Sequence, residues 1–198
     1  MIPILILAAG SSSRMRGQDK LLQTVHGEAL LHRIVRIAQG TLSPVLVALP
    51  PNAALRRGAV ADLAPAVVEV ADAASGMAAA IRAGIAALPA EASAVLLMLA
   101  DLPEVEMQDL RRLLDVARQH GPATILRATS QSGIPGHPVL FSRRLFAELS
   151  ALQGDEGARA VLTAHRGDIQ FVALPADRAT TDLDTPEQWA AWRQRTGG

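Results

Sequence analysis

The sequence predicts a three-layer α/β fold with a mostly parallel central sheet. Short apolar runs alternate along the chain with segments of helical periodicity, which is the pattern of successive βαβ units joined by right-handed crossovers. Hydrophobic residues make up 49% of the chain and aromatic residues only 3%, so the core is expected to be aliphatic and rich in alanine. A length of 198 residues fits one domain, which we place at residues 1–198.

Each element follows from its apolar pattern and its boundary residues. The first helix carries Leu30, Leu31 and Ile34 on one face and stops at Gly40. The expected strands cover residues 2–7, 44–49, 66–70, 94–99, 123–128, 137–141 and 169–174. The expected helices cover residues 28–39, 53–63, 76–88, 104–120 and 186–195, and two further short helices are expected after residue 141. The helix at 104–120 is expected to stop at residues 121–122.

Composition excludes several classes of protein. The formal net charge is zero and no basic stripe is present, which argues against nucleic acid as a partner. No apolar run is long enough for a membrane span, and the short N-terminal run lacks the basic region of a signal peptide, so we expect a cytoplasmic protein without a membrane partner. The chain has no cysteine, which rules out disulfides and thiolate metal sites.

The loop after the first strand is the strongest functional signal. It reads L-A-A-G-S-S-S-R-M-R-G-Q-D-K over residues 7–20, and it opens at the carboxyl end of a buried strand, where open α/β sheets bind ligands. Three cations (Arg14, Arg16 and Lys20) against Asp19 give it a charge of +2, which suits a polyphosphate. The alternative is a solvated loop whose basic residues only keep it soluble.

Two common phosphate loops do not fit this segment. A P-loop needs G-x-x-x-x-G-K-[ST], but Gly10 and Gly17 are too far apart and Gln18 follows the second glycine. A dinucleotide-binding loop needs glycine where Ser12 stands, and it needs an acidic residue after the second strand, where the chain reads A-L-P-P. An NAD-dependent function is therefore disfavoured.

A second candidate site follows the strand at residues 94–99. Asp101 lies directly after it, at the sheet edge that also carries the Gly10 loop, and Pro103 starts the next helix. Magnesium is commonly held by one or two carboxylates together with phosphate and water. The alternative is that Asp101 only caps the following helix.

Five motifs in order resemble those of the MobA/MocA-like nucleotidyltransferases, most closely the molybdenum cofactor cytidylyltransferases and guanylyltransferases. The loop at 7–20 is similar to L-A-A/G-G-x-S-x-R-M-G-x-x-K with one extra residue, Arg16. Residues 99–103 resemble the second signature, L-A-D-L-P, and residues 182–187 the third, D-x-D-T-P-E. Residues 133–139 and 154–159 resemble the family segments G-x-x-G-H-P-V and G-D-x-G-A-R.

The resemblance implies a Rossmann-like nucleotidyltransferase fold and assigns roles within it. Arg14, Lys20 and Asp101 would be catalytic, and Asp101 would hold Mg²⁺ with Asp182, which we favour over Asp184. Thr185, Pro186 and Gln188 also form a capping box, so their expected role is structural. The expected nucleotide-binding residues are Leu7, Ala8, Ala9, Gly10, Ser11, Ser12, Arg14, Lys20, Ser75, Gly76 and Ala80.

The acceptor site implied by the resemblance consists of Gly136, His137, Pro138, Gly157 and Arg159. Taken alone, His137 is a turn residue before Pro138, and Arg159 pairs with Asp155 one helical turn back. Residues 75–84 match G-M/L-S-x-S-I/L-R-x-G, but alanines stand at both serine positions, Ala78 and Ala80. Arg82 could bind phosphate or only solvate the outer face of its helix.

The resulting hypothesis is a Mg²⁺-dependent transfer of CMP from CTP to the phosphate of molybdenum-molybdopterin, with release of pyrophosphate. In the family, L-A-A-G tends to accompany cytosine and L-A-G-G guanine, so Ala9 indicates CTP rather than GTP. One alternative is another enzyme of the same fold, either a guanylyltransferase or a nucleotidyltransferase with another small phosphorylated acceptor. The other alternative is not an enzyme but a cofactor carrier that serves a molybdenum hydroxylase apo-enzyme.

Overall fold

The computed structural model describes residues 1–120, 125–155 and 157–197. These residues form nine strands: β1 (Ile4–Leu7), β2 (Thr24–Val25), β3 (Glu28–Ala29), β4 (Val45–Leu49), β5 (Ala66–Glu69), β6 (Ala94–Leu99), β7 (Ile125–Thr129), β8 (Pro135–Ser142) and β9 (Ile169–Ala173). They also form seven α-helices: α1 (Leu30–Gln39), α2 (Ala54–Ala59), α3 (Met77–Ala86), α4 (Met107–His120), α5 (Phe146–Ser150), α6 (Arg159–Ala164) and α7 (Pro186–Thr196).

Seven strands build one mixed sheet in the order β5-β4-β1-β6-β8-β7-β9, and β2 pairs with β3 in a separate hairpin. Strands β5, β4, β1 and β6 are parallel, as are β7 and β9, while β8 runs antiparallel to both of its neighbours. The mostly parallel sheet predicted from the sequence is confirmed.

The sheet has a topological switch point between β1 and β6. From β1 the chain builds outward through β4 and β5, and it then returns to place β6 on the other side of β1. The register sets Leu7 at the end of β1 beside Leu99 at the end of β6. The loops after these two strands therefore leave the same edge side by side, where ligands bind in open α/β sheets.

Helices cover both faces of the sheet with aliphatic side chains. Alternate residues of β1 serve the two faces: Ile4 and Ile6 pack with α1, α4 and α7, while Leu5 and Leu7 pack with α3, α5 and α6. Helix α3 lies so close to the sheet that a Cβ on Gly84 would stand 2.1 Å from Leu5 Cδ2. The small residues of α3 thus permit the close packing expected from the composition.

The differences from the predicted elements are local. The helix expected from residue 28 begins at Leu30, because Glu28 and Ala29 pair with β2 across a tight turn in which His26 and Gly27 have φ of 48° and 87°. The helix expected at 53–63 ends at Ala59, and a 3₁₀ turn follows at Ala61–Leu63.

The C-terminal half differs in two further places. The expected strand at 137–141 is longer and antiparallel, and β8 contains His137, so the interpretation of that residue as a turn residue is wrong. Residues 121–124, where a helix stop and the start of a strand were expected, lie outside the described residues. No helix in the described ranges has the length and hydropathy needed to cross a bilayer.

Candidate active site

The loop after β1, residues 8–20, is held in a defined shape that we call the signature loop. Ser12 and Arg16 both adopt left-handed backbone conformations, with φ of 53° and 52°, on either side of the 3₁₀ turn Ser13–Met15. The Met15 side chain is buried in the core, which anchors the turn. The neighbouring side chains of Arg14 and Arg16 are 68% and 75% exposed, and Arg16 forms an ion pair with Glu187 at 2.5 Å.

The signature loop is held by the buried side chain of Arg56. The sequence analysis did not identify this residue. Arg56 of α2 donates from Nε to Asp19 Oδ2 at 2.6 Å and from Nη2 to Asp19 Oδ1 at 3.0 Å. Its Nη1 also donates to the carbonyl of Ala8 at 2.6 Å, and Nη2 reaches Ser12 Oγ at 3.3 Å. One guanidinium thus ties together the start and the end of the signature loop.

Lys20 lies between two carboxylates from distant parts of the chain. Its Nζ donates to Asp101 after β6 and to Asp184 Oδ1, the latter at 2.6 Å. The other oxygen of Asp184 forms an ion pair with Arg14 Nη2 at 2.7 Å. The structure therefore brings together the three residues predicted to be catalytic, and it adds Asp184.

Burial and the neighbouring charges shift the pKa values of this cluster. Burial works to lower the pKa of Lys20, but Asp101 and Asp184 together outweigh it, so the pKa is raised and the amine stays protonated. Asp182 behaves differently: although its side chain is exposed, partial desolvation first, then repulsion from Asp101 and Asp184, raises the pKa of its carboxyl group. The negative charges of Asp101 and Asp184 thus oppose ionisation of Asp182.

The segment that carries Asp182 and Asp184 is fixed at both ends. Thr185 accepts from Gln188 N at 3.2 Å, and Gln188 Oε1 accepts from Thr185 N at 3.0 Å, which is the capping box predicted from the sequence. On the other side, Thr181 donates to Glu104, which also accepts from Trp192 Nε1 at 3.0 Å. Helix α7 and the loop before α4 thus hold the acidic segment against Lys20.

A cavity of about 840 Å³, which we call the loop cavity, opens between the signature loop, α2 and the start of α3. Nine of the eleven expected nucleotide-binding residues line it: Leu7, Ala8, Ala9, Gly10, Ser11, Arg14, Lys20, Gly76 and Ala80. Ser12 and Ser75 are not among the lining residues, and their hydroxyls bond to Asp19 and Asp72. Ala80 faces the cavity, whereas Ala78 is fully buried.

A second cavity, of about 570 Å³, adjoins the first, and both are lined by Leu7, Met77 and Asp155. We call it the arginine cavity, since Arg127, Arg159 and Arg166 line it together with His137. Of the expected acceptor-binding residues, His137 and Arg159 line it directly. The Gly136 carbonyl accepts a hydrogen bond from Arg127, and Gly136, Pro138 and Gly157 are not among the lining residues.

The structure shows the contacts of Arg82 and Arg159, for which the sequence left two roles open. Arg82 donates to the carbonyl of Leu152 at 2.7 Å and to Asp72 at 2.6 Å, so it braces the segment between α5 and α6 instead of facing a phosphate. Arg159 and Asp155 both line the arginine cavity, and within the described ranges no ion pair joins them.

The donor set at Lys20 fits a hard divalent cation. One carboxylate oxygen of Asp101, Oδ1, is buried and has no hydrogen-bond partner among the described residues. Those residues contain no cluster of three or more metal-ligating side chains. A cation here would therefore depend on phosphate and water for most of its ligands, which is the usual arrangement for magnesium in phosphoryl-transfer sites.

Several site residues escaped the sequence analysis for identifiable reasons. Arg56, Arg127 and Arg166 are arginines on helices or strands with no motif around them, and only the folded chain shows that they line cavities. No such pattern points to these arginines, whereas Lys20, which the sequence did identify, carries a further signal because it is the only lysine in the sequence, among 18 arginines. A unique lysine inside a cationic loop is a stronger sign of function than the loop charge alone.

The chain is similar to several known proteins. Residues 4–169 match the MobA-like NTP transferase domain. Rv0371c from Mycobacterium tuberculosis superposes with a TM-score of 0.83 at 29% identity, over 98% of this chain and 97% of that one. The purine catabolism protein PucB of Bacillus subtilis is 29% identical over 193 residues, which cover 92% of this chain and 91% of PucB.

A more distant likeness concerns the fold alone. The CMP:2-keto-3-deoxy-manno-octonic acid synthetase in complex with CTP superposes with a TM-score of 0.75 at 14% identity, over 99% of this chain and 98% of that one. The fold, with a cationic loop and an acidic strand end at its switch point, is that of a nucleotidyltransferase. Within this class, the chain belongs to the MobA-like NTP transferase family.

Proposed function

We propose that the chain transfers CMP from CTP to the phosphate of molybdenum-molybdopterin and releases pyrophosphate. The observation that carries the proposal is the Lys20–Asp101–Asp184 cluster, which lies beside a loop cavity large enough for a nucleotide. The adjoining arginine cavity offers cations to a phosphorylated acceptor, and the shared lining of Leu7, Met77 and Asp155 lets the two substrates meet. The proposed recipient of the product is a molybdenum hydroxylase apo-enzyme.

The proposed step is an in-line substitution at the α-phosphorus of CTP. An oxygen of the acceptor phosphate forms the new P–O bond, and the bond to the β-phosphate breaks, so the electron pair leaves with pyrophosphate. The acceptor phosphate is ionised near neutral pH, so no side chain has to remove a proton. Lys20 and Arg14 neutralise charge on the transferring and leaving groups, and the two cavities hold the reactants in line.

Asp101 and Asp182 are the residues proposed to hold Mg²⁺, with Asp184 as the alternative partner. When bound, the cation supplies positive charge to the triphosphate oxygens. The unpartnered Asp101 Oδ1 supports this assignment, and the choice of Asp182 as the second ligand rests on the family resemblance. The similar protein Rv0371c, at 27% identity and a TM-score of 0.79, has a crystal structure in complex with manganese.

The choice of CTP rests on Ala9, which lines the loop cavity. Its methyl group reduces the space for a purine while a pyrimidine still fits. The test is pyrophosphate release from each of the four NTPs with Mg²⁺ and reduced molybdenum-molybdopterin. We expect CTP to be the best substrate; a preference for GTP would instead support the guanylyltransferase alternative.

The carrier alternative derives from the alanines at the two serine positions. The structure weakens its basis, since only Ala80 faces the loop cavity and Ala78 lies in the core. An Asp101→Ala variant separates the two functions. An enzyme loses turnover, whereas a pure carrier continues to deliver a preformed dinucleotide cofactor to the apo-enzyme.

A further inference from the structure

The carboxylate of Asp184 forms ion pairs with two cations of the signature loop at once. Its Oδ1 accepts from Lys20 Nζ at 2.6 Å, and its Oδ2 lies 2.7 Å from Arg14 Nη2. Lys20 and Arg14 are the residues proposed to neutralise the triphosphate. In this arrangement both of them are engaged by a carboxylate of the protein itself, which lies between them as a phosphate group would.

Lys20 in turn occupies a position on the carboxylate proposed to hold Mg²⁺. Its Nζ donates to Asp101 Oδ2 as well as to Asp184, and all three side chains are at most 15% exposed. A divalent cation and an ammonium group on the same carboxylate repel each other, and the repulsion is strong where water is largely excluded. Lys20 therefore has to move away from Asp101 Oδ2 before a metal ion can bind there.

These contacts make the binding of a free triphosphate unfavourable. Such an anion reaches Arg14 and Lys20 only by displacing Asp184, which leaves a largely buried carboxylate without a cation, and the loss of one partner from a buried ion pair is costly. A triphosphate that carries a divalent cation brings both kinds of partner. Its oxygens then replace Asp184 on the two loop cations, its metal ion replaces Lys20 at the carboxylates, and every charge keeps a partner.

We propose that Asp184 makes this site selective for the metal complex of a nucleoside triphosphate over the free nucleotide. Asp184 holds Arg14 and Lys20 in place of a phosphate, and it releases them when a divalent cation reaches the carboxylates. This role differs from that of a plain metal ligand, because removal of the carboxylate should strengthen metal-free binding. The inference rests on the proposed function only for the assignment of the loop cavity to a nucleotide.

Calorimetric titration with CTP in metal-free buffer tests this selectivity. We expect the wild type to bind free CTP weakly and Asp184→Asn to bind it about 10-fold more tightly, because a neutral amide does not compete with phosphate for the two cations. Asp115→Asn is the matched control: it removes the same charge from a pair with Arg118 on α4, lines neither cavity and should leave the affinity unchanged. Equal or weaker binding by Asp184→Asn overturns the proposal.

The ammonium group of Lys20 reports the exchange of partners in the wild type, without a substitution. Because the sequence has only one lysine, protein labelled with nitrogen-15 at lysine Nζ gives a single side-chain resonance. We expect CTP with Mg²⁺ to shift this resonance as phosphate replaces the carboxylates, and the same concentration of CTP without metal to shift it far less. A resonance that responds equally to the two forms contradicts the proposal.

Inorganic triphosphate, used in place of CTP, separates this inference from the proposed function. The exchange involves only phosphate oxygens and the metal ion, so the same gain in metal-free affinity is expected for Asp184→Asn with this ligand. If the gain is found but no CMP reaches molybdenum-molybdopterin, only the proposed function is refuted. If CMP is transferred but Asp184→Asn gains no affinity for free triphosphate or free CTP, only this inference is refuted.

Discussion

Arg56 and Asp19 form a two-pronged ion pair beneath the signature loop, with N–O distances of 2.6 and 3.0 Å. Asp19 is adjacent to Lys20, and its Oδ1 also accepts from Leu21 N at 3.0 Å. The position of the Lys20 backbone is thus set by an arginine 36 positions later in the chain. A residue that touches neither the metal ligands nor the acceptor is in this way coupled to the cationic group of the site.

Replacing Arg56 should impair catalysis because Lys20 is displaced, and not because a positive charge is lost. We expect Arg56→Lys to lower kcat/KM for CTP by about 10–100-fold, because lysine keeps the charge but cannot form the planar double contact with Asp19. The adjacent Arg57→Lys is a matched control, since Arg57 is paired with the exposed Glu69. Steady-state kinetics check both. In a double-mutant cycle with Asp19→Asn, additive losses would argue against the coupling.

The unique lysine allows its environment to be probed chemically. The sequence offers an amine-reactive reagent only Lys20 and the α-amino group of Met1, and the reaction is run at alkaline pH because the ion pairs raise the pKa of Lys20. We expect CTP with Mg²⁺ to protect Lys20 and leave the α-amino group reactive, as measured by intact-protein and peptide mass spectrometry. Lys20→Arg should show a single label. Unchanged labelling of Lys20 at saturating CTP would place the nucleotide elsewhere.

The base preference should respond to a single methyl group. Ala9→Gly enlarges the loop cavity next to the base, so we expect kcat/KM for GTP to rise about 10-fold relative to CTP. Parallel pyrophosphate-release assays with both nucleotides measure this ratio. A ratio unchanged from that of the wild type would show that Ala9 does not contact the base.

His137 makes the stability of the protein sensitive to acid. Its folded-state pKa of about 4 lies below the ordinary value of 6.5, so the unfolded chain binds a proton at a pH where the folded protein does not. This contribution is complete above pH 6.5 and is lost between pH 6.5 and 4, by about 3 kcal/mol at most. Urea unfolding of the wild type and of His137→Phe should diverge over this range. Parallel pH profiles would mean that the imidazole ionises freely in the folded state.

Two glycines on different helices give opposite predictions for the fold. Gly84→Ala inserts a Cβ 2.1 Å from Leu5 Cδ2, so we expect a destabilisation of about 1–3 kcal/mol from overpacking against the sheet. Gly58→Ala in α2 meets nothing within 4 Å and should stabilise by roughly 0.5–1 kcal/mol. Thermal unfolding measures both. A neutral Gly84→Ala would show that α3 lies further from β1.

The elements that the sequence predicts well are those with strong local patterns. Strand 94–99 and the capping box at Thr185 are found where they were expected, because each depends on a few neighbouring residues. The β2–β3 hairpin was missed, since strands of two residues have no periodicity. The antiparallel direction of β8 was also out of reach, because strand order is decided by packing of the whole sheet.

In the site, too, the sequence predicted what depends on local position along the chain and not what depends on long-range contacts. Lys20 and Asp101 were placed at one sheet edge from their positions after two strands, and the structure joins them in an ion pair. The contact of Asp184 with Lys20 could not be predicted, because 164 positions separate the two residues. Which of them joins Asp101 as a metal ligand stays a prediction.

Transfer of label from CTP tests the central claim most directly. The protein is incubated with CTP labelled at the α-phosphorus, Mg²⁺ and reduced molybdenum-molybdopterin, beside the Asp101→Asn and Lys20→Gln variants. We predict that label enters a pterin dinucleotide with one pyrophosphate released per transfer, and that each variant is slower by roughly 10²–10³. Label that remains in CTP with the wild type, or variants as fast as the wild type, would contradict the account.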